Sequence, residues 1–435
     1  MNTGLMNKFG TRTENEPVTH IEGVSVNGLL QRYGSPLFVL SEKQMRRNIR
    51  NSLRIFKTRY PNVQFAWSYK TNYLNAVCRI FHQEGSWAEV VSGFEYDKAI
   101  HNGVAGDKII FNGPCKTDAE LILASRNRSP IHIDHYDELY TLIRLSEEHD
   151  LHPEVAIRVN MDTGIYPKWD RFGFNFENGQ AWNAITRILH SERLKLIGLH
   201  CHIGTFMLTT SAYETAARNL CELAWSVKER HGLLLRYLDL GGGFPSTNTL
   251  KGAYLPSIDT VPSLDQYADA ITDVLLGYGF KPDELPQLIL ETGRALIDDA
   301  GYLLGTVLAS KRLSDGRRAT VLDFGLNSLF TSLWYEHKIS PAKSMGNQTE
   351  EMVLYGPLCM NIDIVRESVV MPLLEKGDQV VVHKVGAYNM TQWMQFITLR
   401  PNIVLIDQEN NVHVIREEET REYLEKLEHV PEHLA

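Results

Sequence analysis

Between residues 35 and 300 the apolar positions keep changing period. Short runs with every residue or every second residue apolar are "NVQFAWSYK", "WAEVVS", "KIIFNG", "PIHIDH", "EVAIRVN", "KLIGLHCHIG", "LRYLDLGGGF" and "QLILETGRALI". Between them lie stretches with helical spacing, among them "TNYLNAVCRIFHQEG", "YDELYTLIRLSEEH", "YETAARNLCELAWSVKERHG" and "LDQYADAITDVLLGYG". A two-residue repeat lines one face of a strand and a 3.6-residue repeat lines one face of a helix. The chain therefore reads as an opening strand, "SPLFVLS", a helix, "EKQMRRNIRNSLRIF", and then eight strand–helix alternations. Eight such units predict an α/β fold in which parallel strands close into a (β/α)8 TIM-like barrel with covering helices.

After about residue 302 the rhythm changes again. "GYLLGTVLAS", "RRATVLDF", "EEMVLYGP", "DQVVVHKV", "FITLRPNIVLID" and "NVHVIR" are β-branched runs separated by turn residues, with little helix between them. This predicts a C-terminal all-β domain, a small barrel or sandwich. The expected limits are a disordered tail over 1–20, a barrel over 42–301, and a β domain built from 21–41 and 302–435. "SPLFVLS" would be a first strand donated to that domain, and "EEETREYLEKLEHV" would be a charged C-terminal helix.

Composition narrows the function classes. The formal net charge of −9 over 435 residues argues against nucleic acid or an anionic membrane as the main partner. No run reaches the roughly 18 apolar residues of a membrane span, and the polar opening "MNTGLMNKFGTRTENE" lacks the apolar stretch of a signal peptide. The five cysteines are odd in number and match no zinc or disulfide spacing, so reduced thiols in a cytoplasmic protein are expected, with no metal site.

Polar residues at the ends of the apolar runs carry the candidate chemistry. Lys70 closes "FAWSYK": it is either a surface group or an amine with a chemical task. Three glycines, Gly241, Gly242 and Gly243, follow a strand in "LDLGGGFP". Contiguous glycines suit either a tight turn or a backbone cradle for a phosphate. His200 and His202 alternate and so point the same way, as hydrogen-bonded core groups or with one imidazole against a ligand. Glu291 and Arg294 end "LILETGR", where isolated buried charges are very unfavourable. They pair with each other or divide a ligand between them. Cys359 in "YGPLCMNID" reads by itself as a buried apolar cysteine. A lysine, a carboxylate, a histidine, an arginine and a glycine cradle together suit pyridoxal 5'-phosphate, whose aldehyde needs an amine, whose ring nitrogen needs an acid and whose phosphate needs donors.

The ordered set "YKTN", "EVVSGFE", "RVN", "RFGF", "HCHIGT", "DLGGGFP", "ETGR", "YGPLC" and "GAYN" resembles the pyridoxal-phosphate-dependent decarboxylases of the alanine-racemase-like fold, in the diaminopimelate and ornithine decarboxylase group. The resemblance implies that Lys70 bonds the cofactor aldehyde, that His202 stacks on the ring and that Glu291 holds the ring nitrogen. Phosphate contacts would fall to Gly241, Gly242, Gly243, Thr205, Arg294 and Tyr388, with Glu89 and Arg158 lining the surroundings. Cys359 would enter the site from the partner subunit of a homodimer and supply the proton that replaces the departing carboxylate.

The resemblance also has gaps. Diaminopimelate decarboxylases hold the far end of the substrate with an arginine after a "DGG-N-L" stretch and a glutamate directly after the cysteine. Here Thr331 and Met360 occupy those places. Ornithine decarboxylases use an acid after the cysteine and another in a "YD" pair, for which only Glu336, in "WYEH", could stand. The expected substrate is therefore an amino acid or amino-acid conjugate, free or carrier-linked, contacted by Thr331, Glu336, Met360 and Tyr388. The alternatives are a racemase of the same fold, a diaminopimelate or lysine/ornithine decarboxylase proper, and a non-catalytic homologue that binds the cofactor or a decarboxylase.

Overall fold

The eight apolar runs form the strands Val63–Ser68, Trp87–Val90, Ile109–Phe111, Ile131–Ile133, Glu154–Asn160, Lys195–His200, Tyr237–Asp239 and Gln287–Leu290. Each pairs in parallel with the next, and the ring closes where Leu288 opposes Val63. The computed structural model describes residues 16–434 apart from 254, 256 and the side chain of 258. The described chain divides into two compact units. One is the barrel unit, Met45–Ser246 with Thr260–Leu296. The other holds the described residues up to Gln44, Thr247–Asp259 and those from Ile297 onward. The loop Thr247–Asp259, read from the sequence as part of the barrel, groups with the β unit, where Thr249–Leu250 pairs antiparallel with Tyr335–Glu336.

Local sequence starts the barrel helices. Thr117 accepts the Glu120 N–H at 3.3 Å while the Glu120 carboxylate accepts the Thr117 N–H at 2.7 Å, a reciprocal cap for Asp118–Arg126. Ser263 and Gln266 do the same for Leu264–Gly277. Such a cap contributes about 1 kcal/mol by satisfying N–H groups that the first turn leaves open.

Inside the ring, Ala66, Ile110, Ala156, Ile197, Tyr237 and Ile289 pack together. Gly198 makes room for the largest of them: a Cβ there would lie 2.5 Å from the Tyr237 ring. This apolar plug lies below a polar layer at the carboxyl ends of the same strands, the usual place for chemistry in this architecture.

The β unit is built on a nine-stranded mixed sheet. The donated strand Leu37–Ser41 is buried throughout, antiparallel to the first residues of Gly301–Arg312 and parallel to Ile403–Ile406. The sequence pattern missed Ile364–Pro372, because Arg366, Glu367 and Ser368 interrupt its apolar run. It also missed the helix Val26–Tyr33, capped by Ser25 and buried through Val26, Leu29 and Leu30. The expected charged C-terminal helix is short, Arg421–Glu425, with none of its side chains buried to hold it. Of the expected tail, residues 1–15 lie outside the described residues; His20–Ile21 pairs with Val24–Ser25.

Candidate active site

Each barrel strand carries a polar group at its end or within one residue of it: Ser68, Glu89, Asn112, Asp134, Asn160, His200, Asp239 and Glu291. Adjacent strands set the neighbours: Ser68 is in register with Glu89, Arg158 with His200, and His200 with Asp239. Lys70 sits two residues past the first strand, in the single turn Tyr69–Thr71. Its Nζ donates to both Glu89 oxygens, at 2.6 and 2.9 Å. Glu89, 1% exposed, also accepts from Ser68 Oγ and, at 3.1 Å, from Asn112 Nδ2. The same Asn112 amide donates to Glu291. Lys70 and Glu291 are therefore joined through two intermediates at one end of the barrel. Asn112 donates to the Glu291 carboxylate, and His200 Nε2 lies 3.4 Å from it without a hydrogen bond. Of the two alternatives for Glu291 and Arg294, a direct ion pair is not found among the described residues.

Burial sets the protonation of the histidines. His132, His200 and His202 are held well below the usual imidazole range, chiefly by desolvation, so they are neutral. His202 accepts the Gly242 N–H on Nδ1 at 3.1 Å, which leaves its proton on Nε2, and Trp169 meets its ring edge-on at 5.4 Å. His132 Nε2 bonds the Tyr237 hydroxyl at 2.8 Å, and its ring lies 4.8 Å from that of His200. Arg158 lies over the Phe172 ring, 3.7 Å from Asp134, and burial lowers its pKa. Glu95, missed in the sequence, accepts the Val91 N–H, and burial pushes its pKa up to about 7.

The glycine run is only partly the cradle expected. Gly241 and Gly243 have φ of +64° and +95°, and a Cβ on Gly241, Gly242 or Gly243 would meet the carbonyl oxygens of Cys201, Glu291 or Gly204 at 2.5 Å or less. The glycines are thus needed for close backbone packing as well. Gly241 N–H goes to Asp239 at 2.8 Å and Gly242 N–H to His202 Nδ1 at 3.1 Å. Gly243 is the member of the run whose N–H has no partner among the described residues. Arg294 Nη2 approaches Thr205 Oγ1 at 3.4 Å, which puts a guanidinium and a hydroxyl together. Gly293, also missed, packs so closely on Thr71 that a Cβ would lie 2.0 Å from its Oγ1.

The β unit holds the other expected residues. Cys359 is exposed, contrary to a buried apolar cysteine, and Met360 beside it is half-buried. Asp363 fixes their loop by accepting the Leu326 N–H at 2.6 Å and the Leu358 N–H at 2.8 Å. Tyr388 has φ of +65°, and its ring meets that of Trp334 edge-on at 6.3 Å. Glu336 is exposed, 3.7 Å from Arg366. Thr331 faces the interior of its unit. It is 1% exposed, and its hydroxyl is engaged by His337 Nε2 at 2.8 Å and Asn389 Oδ1 at 2.9 Å.

A phosphorylated pyridine aldehyde fits the barrel residues. Buried polar atoms are normally satisfied, yet Thr71 Oγ1, Thr292 Oγ1, Asn112 Oδ1, Asp239 Oδ2 and both His200 nitrogens lack hydrogen-bond partners at this one end. The same end of the barrel carries the Lys70 amine, the Glu89 and Glu291 acids and the Arg294 guanidinium beside Thr205. No metal site was expected, but His132, His200, Asp239 and Glu291 offer four ligand atoms within 4.8 Å of one another. No helix among the described residues is long and apolar enough to cross a membrane.

Comparison with known proteins agrees with this chemistry. The family model "Pyridoxal-dependent decarboxylase, pyridoxal binding domain" matches residues 46–298. The diaminopimelate decarboxylase of Methanocaldococcus jannaschii is 32% identical over 432 residues, 95% of each chain. That of Bacillus subtilis is 27% identical over 434 residues, 96% of this chain and 97% of the relative. The crystal structure of the M. jannaschii diaminopimelate decarboxylase superposes with a TM-score of 0.88 at 30% identity, covering 99% of this chain and 100% of that one. With an amine, an acid and phosphate donors gathered at one barrel mouth and this likeness over the full length, the chain belongs to the pyridoxal-dependent decarboxylases and is a pyridoxal-phosphate-dependent amino-acid carboxy-lyase.

Proposed function

We propose that this decarboxylase removes the α-carboxylate of an amino acid or amino-acid conjugate whose far end is less polar than the amino-carboxylate centre of diaminopimelate. The observation that supports this is at position 331. Where diaminopimelate decarboxylases resemble one another in offering an arginine, this chain has a buried threonine with its hydroxyl committed. Met360 replaces the acid after the cysteine. Losing a charged partner for a charged substrate group removes several kcal/mol of recognition, about 2–5. Glu336 remains as an exposed acid able to meet an amine.

Pyridoxal phosphate, when bound, supplies an electron sink for the pair left behind as CO₂ departs. In this reading the protein's residues hold and aim it. Lys70 provides the amine, Glu291 faces the ring nitrogen and His202 covers a ring face. Arg294, Thr205 and Gly243 take the phosphate, while Glu89 and Arg158 fix the charge around the mouth. Cys359 Sγ holds the proton delivered to Cα in place of the carboxylate. Its exposure, beside exposed Ile362, supports its donation across a homodimer interface.

A second reading, diaminopimelate decarboxylase proper, is favoured by the full-length likeness to the Methanocaldococcus and Bacillus enzymes. Measuring CO₂ release from meso-diaminopimelate, lysine, ornithine and their N-acyl conjugates separates the two. Turnover of meso-diaminopimelate at a rate ordinary for enzymes, about 1 s⁻¹ or more, would discard the first reading.

A further inference from the structure

We propose that Tyr213 is a positioning residue for the cofactor's phosphate: its hydroxyl holds the Gly242 carbonyl and so aims the Gly243 N–H as a fixed donor. This rests on the reading that places the phosphate against Gly243, Thr205 and Arg294.

The backbone of the glycine run leaves one donor open. Gly241 N–H goes to Asp239 at 2.8 Å, and the Gly241 carbonyl accepts the Glu291 N–H at 2.8 Å. Gly242 N–H goes to His202 Nδ1 at 3.1 Å, and the Gly242 carbonyl accepts from Tyr213 Oη at 2.7 Å. The Gly243 carbonyl accepts the Met207 N–H at 3.0 Å. Within the run, the Gly243 N–H alone has no partner among the described residues, and Gly243 is half-buried where Gly241 and Gly242 are buried. Backbone groups inside a protein are nearly always paired, so a donor held open at the rim of this layer is available to a ligand.

A trans peptide is planar, with its C=O and N–H on opposite sides. Whatever holds the Gly242 carbonyl therefore sets where the Gly243 N–H points. Tyr213 takes that carbonyl on one side, and the N–H faces the other. Gly243 also backs onto Gly204, where an added Cβ would lie 2.4 Å from the carbonyl oxygen. Thr205 comes next in the chain, with Arg294 Nη2 at 3.4 Å from its hydroxyl. Glycine suits position 243 for a second reason: φ is +95°, and a Cβ would stand 2.9 Å from the tyrosine oxygen.

Tyr213 is itself held in one orientation. It lies near the start of the helix Thr210–His231 and is fully buried. Its ring stacks on Phe244 with centroids 4.8 Å apart and planes at 4°, and Tyr267 meets it edge-on at 5.5 Å. The Tyr267 hydroxyl donates to the Met207 carbonyl, and Met207 is the residue whose N–H takes the Gly243 carbonyl. The peptides on both sides of the open donor are thus fixed before any ligand arrives. A glycine peptide left loose would have to be ordered on binding, at a cost in affinity.

The test titrates the full-length, cofactor-free chain with pyridoxal phosphate and with pyridoxal, which lacks the phosphate, and follows the protein-bound absorbance band. Tyr213→Phe keeps the ring contacts and removes the donor. Its Kd for pyridoxal phosphate should rise about 10-fold, as for one oriented hydrogen bond to a charged group, with the Kd for pyridoxal unchanged. A hydroxyl that only stabilised the fold would weaken both ligands alike; that result, or no change for either, overturns the proposal. Tyr213→Met, a flexible apolar fill, gives the same readout if the phenylalanine variant does not fold. In the wild type, hydrogen exchange at the Gly243 N–H should slow on loading with pyridoxal phosphate and not with pyridoxal; equal slowing by both also overturns it. Arg294→Gln tests the reading beneath. A preference for pyridoxal phosphate over pyridoxal that survives this change moves the phosphate elsewhere. A preference lost in Arg294→Gln and kept in Tyr213→Phe leaves the phosphate in place and discards the role of Tyr213.

Discussion

In the barrel unit, Lys70, Glu89, Asn112 and Glu291 form one connected chain of hydrogen bonds whose last three members are buried. In the β unit, Cys359 and Glu336 are exposed, Met360 is half-buried and Thr331 is buried with its hydroxyl spent on its own unit. The difference concerns how each region tolerates change. A connected buried network passes any substitution on to its neighbours, because each removed partner leaves a group unsatisfied in a poorly solvated setting. Exposed side chains can be exchanged singly at small cost. Chemistry common to a family suits the first arrangement, and substrate discrimination suits the second.

The strongest way to break this comparison is Lys70→Ala. Loss of the cofactor's protein-bound absorbance band and a fall in turnover of at least about 10³-fold are expected, from removal of a covalent and proton-transfer group. Retention of the band would move the chemistry elsewhere. Cys359→Ala comes next, with turnover lowered by about 10²-fold as a proton donor is lost while the absorbance band stays. Normal turnover with unchanged product would leave the exposed cysteine without a catalytic role.

The two regions also respond oppositely to pH. Glu95 in the barrel unit has its pKa raised from 4.5 to about 7 by burial. Between those values the folded state keeps a proton that the unfolded chain has released, so stability falls as pH rises through that window. His337 in the β unit is pushed down from 6.5 to about 3, again by burial. There the unfolded chain takes up the proton that the fold refuses, so stability falls as pH drops from 6.5 toward 3. Thermal melts of Glu95→Gln should flatten the alkaline-side decline by about 2–3 kcal/mol, and an unaltered slope would show that Glu95 titrates normally.

Thr331→Val sharpens the contrast within the β unit. A loss of about 1–3 kcal/mol in denaturant unfolding is expected, since His337 Nε2 is left unsatisfied and Asn389 Oδ1 keeps only the residue-331 N–H, with KM unchanged. A large KM change with intact stability would restore Thr331 to the substrate site. Glu336→Gln should be the mildest for folding, within about 0.5 kcal/mol for an exposed ion pair. It should raise KM selectively for substrates with a distal amine, and equal KM values across substrates would remove Glu336 from recognition.

The sequence by itself determined the eight-unit alternation, the donated first strand and the change to β structure near residue 302. Those rest on local hydrophobic period, which survives in the chain as written. It also singled out Lys70, His202, Glu291, Arg294 and Cys359, each because of its type at the end of a run and its place in an ordered set of motifs. Only the tertiary structure decided which of these are joined. Asn112, Asp239, Glu95 and Gly293 carry no local signal: an asparagine or aspartate at the end of a strand looks like any turn residue. Their roles come from closing the barrel, which brings residues 70, 89, 112, 239 and 291 into one layer. The same closure set the Gly241 and Gly242 N–H groups against Asp239 and His202. The interior hydrogen bonds of Thr331 are likewise a product of the fold. A side chain's partners depend on what the fold brings beside it, and strand register across the ring is set by packing of the whole layer, not by the residues within any one run.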